Sequence, residues 1–145
     1  MDLLSGIWRL VQSKAWTESG ETLDAPYGSH PLGQIVFSDG RMLAALYNGD
    51  LTSEINGHRS FSSYGGLYQF DGSTLRVSVD VASDPTRIGG IQVRKVIVPS
   101  ENRMILLPPT RLYGNVIERR ELTWERVWTP NQNVCSEPTT FQERK

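Results

Sequence analysis

Near the start of the chain, Gly6-Ile7-Trp8-Arg9-Leu10-Val11 places a glycine and a tryptophan at the head of a run of strand-type residues. Near its end, Leu122-Thr123-Trp124-Glu125-Arg126 supplies a second such run, closed by an arginine. A sheet that curls until its first and last strands meet must be sealed where they join, and a guanidinium stacked on an indole does this. The two runs therefore predict a sheet closed on itself, with Trp8 and Arg126 at its floor.

The stretch between them is punctuated like a meander. Gln34-Ile35-Val36-Phe37, Ser38-Asp39-Gly40 and the run Arg41–Asn48 read as strand, tight turn, strand, because Asp-Gly supplies the positive φ angles of a hairpin turn. Gly66 to Phe70, Asp71-Gly72-Ser73 and residues 74–81 repeat the device, with Leu75, Val77, Val79 and Val81 on one face, expected to point inward. Residues 91–98 form a further strand. Another runs from Arg103 to Leu107 and stops at Pro108-Pro109, since proline cannot donate to a ladder, and residues 118–128 make the last. About eight strands with short links exclude parallel pairing, which needs crossovers of about a dozen residues. With no long helix to cover its apolar face, the sheet closes into a barrel or folds into a sandwich. The expected fold is all-β, a single antiparallel up-and-down barrel.

In the first strand, strict alternation puts Trp8, Leu10, Gln12, Lys14 and Trp16 on one side, so an inward Trp8 brings Gln12, Lys14 and Trp16 with it. The alternative is a Lys14 that reaches solvent at the strand's end. Residues 17–33 form a loop over one end of the barrel. From Gly49 to Gly66 the β pattern stops. Phe61 and Tyr64, three apart, would share a face of a short helical lid, and the competing reading is a surface loop anchored by two aromatics. Residues 1–130 are expected to form one domain, and residues 131–145, which lack periodicity, a loosely held tail.

Lys and Arg total 15 against 16 Asp and Glu, a formal charge of -1, which gives no electrostatic reason to expect nucleic acid or an anionic membrane as partner. The single cysteine, Cys135, has no internal disulfide partner, which suits a reducing compartment. No run approaches the ~18 apolar residues of a spanning helix, and Met1 to Ser5 lacks a basic start followed by an apolar region, so a soluble, cytoplasmic protein is expected. His30 and His58 fall in separate loops with no ligand spacing around them, so no metal is expected. Gly65-Gly66 and Gly89-Gly90 precede strands rather than helices, which argues against a phosphate-binding loop. A serine or cysteine nucleophile would need a histidine base in reach, and the local sequence proposes none, so hydrolysis by a triad is not expected. No cofactor is expected.

Gly6-x-Trp8-Arg9-Leu10, Pro26-Tyr27-Gly28, Gly33-x-Ile35-x-Phe37, Asp39-Gly40-Arg41-Met42, Tyr64-x-Gly66-x-Tyr68-x-x-Asp71-Gly72, Gly90-x-Gln92-x-Arg94 and Leu122-x-Trp124-x-Arg126 occur in an order that resembles the lipocalin-like domain family. The resemblance runs from about Leu4 to Val127. It implies an antiparallel barrel with a cup for a small, largely apolar molecule. Some similar barrels in secondary-metabolite pathways serve as cofactor-free cyclases or isomerases. Where relatives carry one or two histidines after the Asp-Gly turn, this chain has Val77 and Ser78, so any role of those histidines does not carry over.

Gln92 and Arg94 share one face of their strand, and Ile91, Val93 and Ile97 the other; the resemblance favours Gln92 and Arg94 as inward. An inward Arg94 needs a partner: Glu118, Asp80 or a ligand oxygen. Tyr68 and Tyr64 could give a proton or hydrogen bond to a carbonyl or enolate, or simply pack. Trp16, Trp124 and Tyr113 would supply aromatic walls. Arg94 and Tyr68 are thus the expected catalytic residues, and Trp16, Tyr64, Gln92, Tyr113 and Trp124 the ligand-binding ones. The expected partner is a small hydrophobic metabolite, and a homodimer stays open. The leading activity is a cofactor-free cyclisation or isomerisation; a carrier or sensor would use the same residues for affinity alone, and a scaffold module would have a filled interior.

Overall fold

The expected runs are strands in the computed structural model, which describes residues 2–50, 61–113 and 115–130. In chain order they are β1 (Gly6–Thr17), β2 (Thr22–Leu23), β3 (Pro31–Ser38), β4 (Arg41–Asn48), β5 (Phe61–Phe70), β6 (Thr74–Ala82), β7 (Ile91–Ser100), β8 (Arg103–Leu107), β9 (Arg111–Tyr113) and β10 (Val116–Trp128). Neighbours pair antiparallel in the order β1-β3-β4-β5-β6-β7-β8-β10, and β10 returns to pair with β1. The sheet is thus a closed barrel of eight strands, with the short β2 and β9 appended to β1 and β10. A single 3-10 turn, Pro85–Arg87, is the helical element among the described residues. None of the described helices is long and apolar enough to cross a membrane.

At the first hairpin, Asp39 and Gly40 both take positive φ, 50° and 77°, as a two-residue turn between twisted strands requires. The second turn works differently. Only Gly72 has positive φ, and the Asp71 carboxylate shapes the turn by accepting from the backbone N–H of Ser73 (2.9 Å) and Thr74 (2.7 Å). Phe61 and Tyr64 are not on a helix. They lie on β5, where pairing with β4 from Tyr47↔Phe61 onward holds the backbone extended, and an odd spacing of three sends them to opposite faces. The rest of the anticipated lid, residues 51–60, lies outside the described residues, as do His58 and the tail at 131–145.

Of the register shifts in the sheet, those at Val11 and Asp80 break the alternation expected for β1 and β6. In β1, Leu10 pairs with Trp124 and Gln12 with Thr123, so Val11 is an extra residue and the strand's faces exchange beyond it. Trp8 and Leu10 are buried as anticipated. Past the bulge the inward residues are Ser13 and Ala15, while Gln12 and Lys14 face solvent. In β6, Gly65 pairs with Val81 and Gly66 with Val79, which makes Asp80 the extra residue and turns Val81 outward, half exposed, while Leu75, Val77 and Val79 stay in the core.

The closed end is built where the sequence placed it. The Arg126 guanidinium lies 4.3 Å from the Trp8 ring and donates to the carbonyls of Leu3 (2.6 Å), Ser5 (2.5 Å) and Glu101 (3.1 Å). The Trp8 indole N–H in turn donates to the Leu4 carbonyl at 2.9 Å. Gly6, at φ 133°, must be glycine here, since any Cβ would strike the Trp128 carbonyl oxygen of the last strand. We expect Arg126→Ala to lower the free energy of unfolding by about 2–3 kcal/mol through lost charge-assisted bonds and stacking. Guanidinium titration checks this, and a loss under ~0.5 kcal/mol, within the range of an ordinary surface change, would contradict the floor's role.

Candidate functional site

The turns at 39–40, 71–73 and 101–102 share the Trp8 end, and the longer links gather at the other. From that open end a cavity of about 860 Å³ descends into the barrel, within the range of a small-molecule site. Ile35 of β3 with Ala44 and Leu46 of β4 gives it one apolar wall. Across the barrel, four positions round from β3, stands β7, which contributes Gln92 and Arg94.

The β7 wall follows from register. Gln92 pairs with Val77 and Arg94 with Leu75, both fully buried, so the two polar side chains occupy the inward face of their strand. Among the described residues Arg94 reaches no carboxylate. Its Nη1 donates to the Val93 carbonyl at 2.8 Å, Asp80 is bound to Arg41 on the outer surface, and Glu118 is bound to Arg120. Burial therefore lowers the Arg94 pKa, opposed chiefly by the charge of the Tyr64 phenol when ionised.

Arg87, carried in by the 3-10 turn, lies 4.3 Å from the Tyr64 ring centroid and donates to Ser62 Oγ (3.3 Å) and to Gln92 Oε1. Because a guanidinium only donates, it fixes the Gln92 amide with its oxygen toward Arg87 and leaves Nε2 as the amide's remaining donor. Buried Gln92 Nε2 and Trp124 Nε1 have no hydrogen-bond partner among the described residues, although Trp124 is only 1% exposed. Unmade donors at such depth are costly, and both belong to residues on the cavity wall. Burial pushes the Tyr64 phenol's pKa up, with Arg94 and Arg87 pulling the other way, so Tyr64 stays protonated at neutral pH.

Of the residues singled out from sequence, the cavity brings together Tyr64, Gln92, Arg94 and Trp124. Tyr68 is elsewhere. It sits at the closed end, where its ring meets Phe37 edge-on at 5.0 Å and its hydroxyl donates to Asp2 Oδ2 at 2.7 Å. Trp16 follows the Val11 bulge away from the cavity and is half-buried against β2. Tyr113 ends β9, and its side chain lies outside the described residues. Sequence reasoning missed Tyr27 and Arg87. Tyr27 was visible in the Pro26-Tyr27-Gly28 signature, and its backbone N–H is tied to Ser13 Oγ (3.3 Å), the serine that the bulge turns inward. Arg87 had no local signal, being a loop residue brought to Gln92 by a turn whose Asp84 cap accepts from Thr86 N. His30 lies at the open end on the exterior, bound to Asp50 (2.6 Å).

A family model described as a lipocalin-like domain matches residues 5–128. No curated protein matches the chain. Among solved structures it is similar to a redesigned beta barrel, 16% identical, with a TM-score of 0.43 over 86% of this chain and 91% of that one.

The positions of the two tyrosines yield a paired expectation. The Tyr68 hydroxyl is pushed up from 10.0 to about 12, first by burial and then by Asp2. The folded chain holds this proton more tightly than the unfolded chain, so its stabilisation is complete below pH ~10 and is lost as pH rises toward ~12. Tyr68→Phe should reduce that alkaline decline and cost about 1 kcal/mol at neutral pH, with no change in ligand affinity. Urea melts from pH 7 to 12 check it; an unchanged alkaline slope would contradict the assignment.

Proposed function

The chain belongs to the lipocalin-like domain family, a barrel architecture suited to holding a small molecule, and from that premise we propose that it binds a hydrophobic metabolite bearing a few oxygens and promotes its cyclisation or isomerisation without a cofactor. The observation that carries this reading is the set of donors lining the cavity, Arg94 and Gln92 Nε2 on β7 and Trp124 Nε1 on β10, the last two buried without partners among the described residues. Donors already in place where negative charge develops on an oxygen lower the barrier without reorganising.

In a keto–enol shift, the three donors would hold the carbonyl oxygen, and the adjacent carbon would lose its proton to water at the open end. Tyr64, kept protonated by burial, would give its proton to the oxygen and be reprotonated by the water that took the carbon's proton. Ile35, Ala44 and Leu46 would fix the apolar part of the guest in a reactive conformer. Nothing is oxidised or reduced in such a step, so no redox group is called for. Tyr64 takes the proton-transfer role expected of Tyr68.

One observation favours a second reading, a carrier or sensor. Asp84, the carboxylate among the lining residues, already accepts from Thr86 N (3.0 Å) and Thr86 Oγ1 (2.7 Å), which weakens it as a general base.

Benzoylacetone, apolar with two carbonyl oxygens, separates the readings. An isomerase should bind it and speed relaxation of its tautomers, followed by ultraviolet absorbance, and Arg94→Gln should cut that acceleration by about tenfold or more while the dissociation constant moves less than about threefold. Binding without acceleration would leave the carrier. Absence of binding by benzoylacetone and by the neutral fluorophore N-phenyl-1-naphthylamine would contradict both.

A further inference from the structure

The polar groups of the cavity wall share one electrical sense. Among the described residues, the cavity's charged lining is Arg87, Arg94, Arg111 and Arg120 against the carboxylate of Asp84, in a chain whose formal charge is -1. The cationic character is therefore local. Arg120 is answered by Glu118, and Arg87 is engaged with Gln92 Oε1, Ser62 Oγ and the Tyr64 ring. Arg94 has only its own strand's Val93 carbonyl and, among the described residues, meets no carboxylate.

A buried guanidinium without a counter-charge is expensive, and a fold keeps one where a partner arrives from outside. The polar atoms beside it narrow that partner's chemistry. Gln92 presents Nε2 because Arg87 holds its oxygen, and Trp124 presents Nε1; neither can accept a hydrogen bond. A hydroxyl would satisfy such a wall only in part, since its one neutral oxygen accepts fewer and weaker hydrogen bonds than the two charged oxygens of a carboxylate. An oxyanion accepts from all of them. The opposite wall of Ile35, Ala44 and Leu46 asks for an apolar body.

We propose that the cavity takes its guest as an amphiphilic anion, with an apolar body against β3 and β4 and a carboxylate-type head held by Arg94, Gln92 and Trp124. This rests on the small-molecule binding proposed above, not on the keto–enol step in which the same donors hold a carbonyl oxygen, and adds to that binding the charge and orientation of the guest.

The test compares dodecanoate with dodecanol at pH 8, each displacing N-phenyl-1-naphthylamine from the full chain. Dodecanoate should bind at least about tenfold more tightly than the alcohol. Arg94→Gln should bring the acid to within about threefold of the alcohol, the acid losing far more affinity than the alcohol, and Arg94→Lys should restore part of the preference. Equal affinities of acid and alcohol for the wild-type protein would overturn the anion proposal and leave the small-molecule reading standing. Failure of both ligands and of the fluorophore to bind would overturn the two together. If Arg94→Gln loses its β-sheet circular dichroism, the wild-type comparison decides alone.

Discussion

Closure of β1 on β10 is the constraint on which the rest of the molecule depends. An open sheet of this size would expose an apolar face with no second layer to cover it, and its end strands would offer unpaired backbone groups to other chains. Pairing from Ile7↔Trp128 to Thr17↔Glu118 removes both problems at once. The seal lies at one end: Arg126 gathers three carbonyls and covers Trp8, while among the described residues no such plug closes the opposite end, where the longer links gather. One end is therefore solid and the other open, and a cavity is the geometric consequence.

Bulges then decide what the cavity contains. The extra residue at Val11 takes Gln12, Lys14 and Trp16 off the inner face and brings in Ser13, which ties down Tyr27 beside the opening. With Lys14 outside, the cationic character of the interior comes from arginines, whose planar donors suit an oxyanion better than a mobile ammonium would. The extra residue at Asp80 turns Val81 to solvent, while Asp80 keeps the outer face it shares with Arg76 and Ser78 and pairs there with Arg41, so that carboxylate is not available to Arg94.

The closing strands and the first hairpin were legible because their signals are local: a glycine that allows close approach, a tryptophan and arginine at matching ends, an Asp-Gly turn. The direction of Gln92 and Arg94 followed from alternation, because β7 runs regularly through that part of its pairing. Alternation failed wherever an extra residue entered, as at Val11 and Asp80, since no residue type announces a bulge. It also gave direction without depth. Tyr64 and Tyr68 both point inward, four residues apart, yet one faces the cavity and the other packs under it against Phe37 and Asp2. Depth depends on where the floor lies, and that is set by cross-strand register. Arg87 was beyond reach because a loop residue acquires its neighbours only when the strands on either side are in place.

The central claim is that donors on the cavity wall are held ready for a guest while chemically similar donors at the floor are already satisfied. The indole N–H groups of Trp124 and Trp8 are the natural pair, one without a partner and the other bound to the Leu4 carbonyl. Nitrogen–proton correlation spectra of the labelled chain, recorded as dodecanoate is added, test this most directly. The account predicts that the Trp124 indole proton moves downfield and exchanges more slowly with water, while the Trp8 signal stays fixed. A Trp124 signal that does not respond to bound dodecanoate, or a Trp8 signal that moves as far, would contradict it.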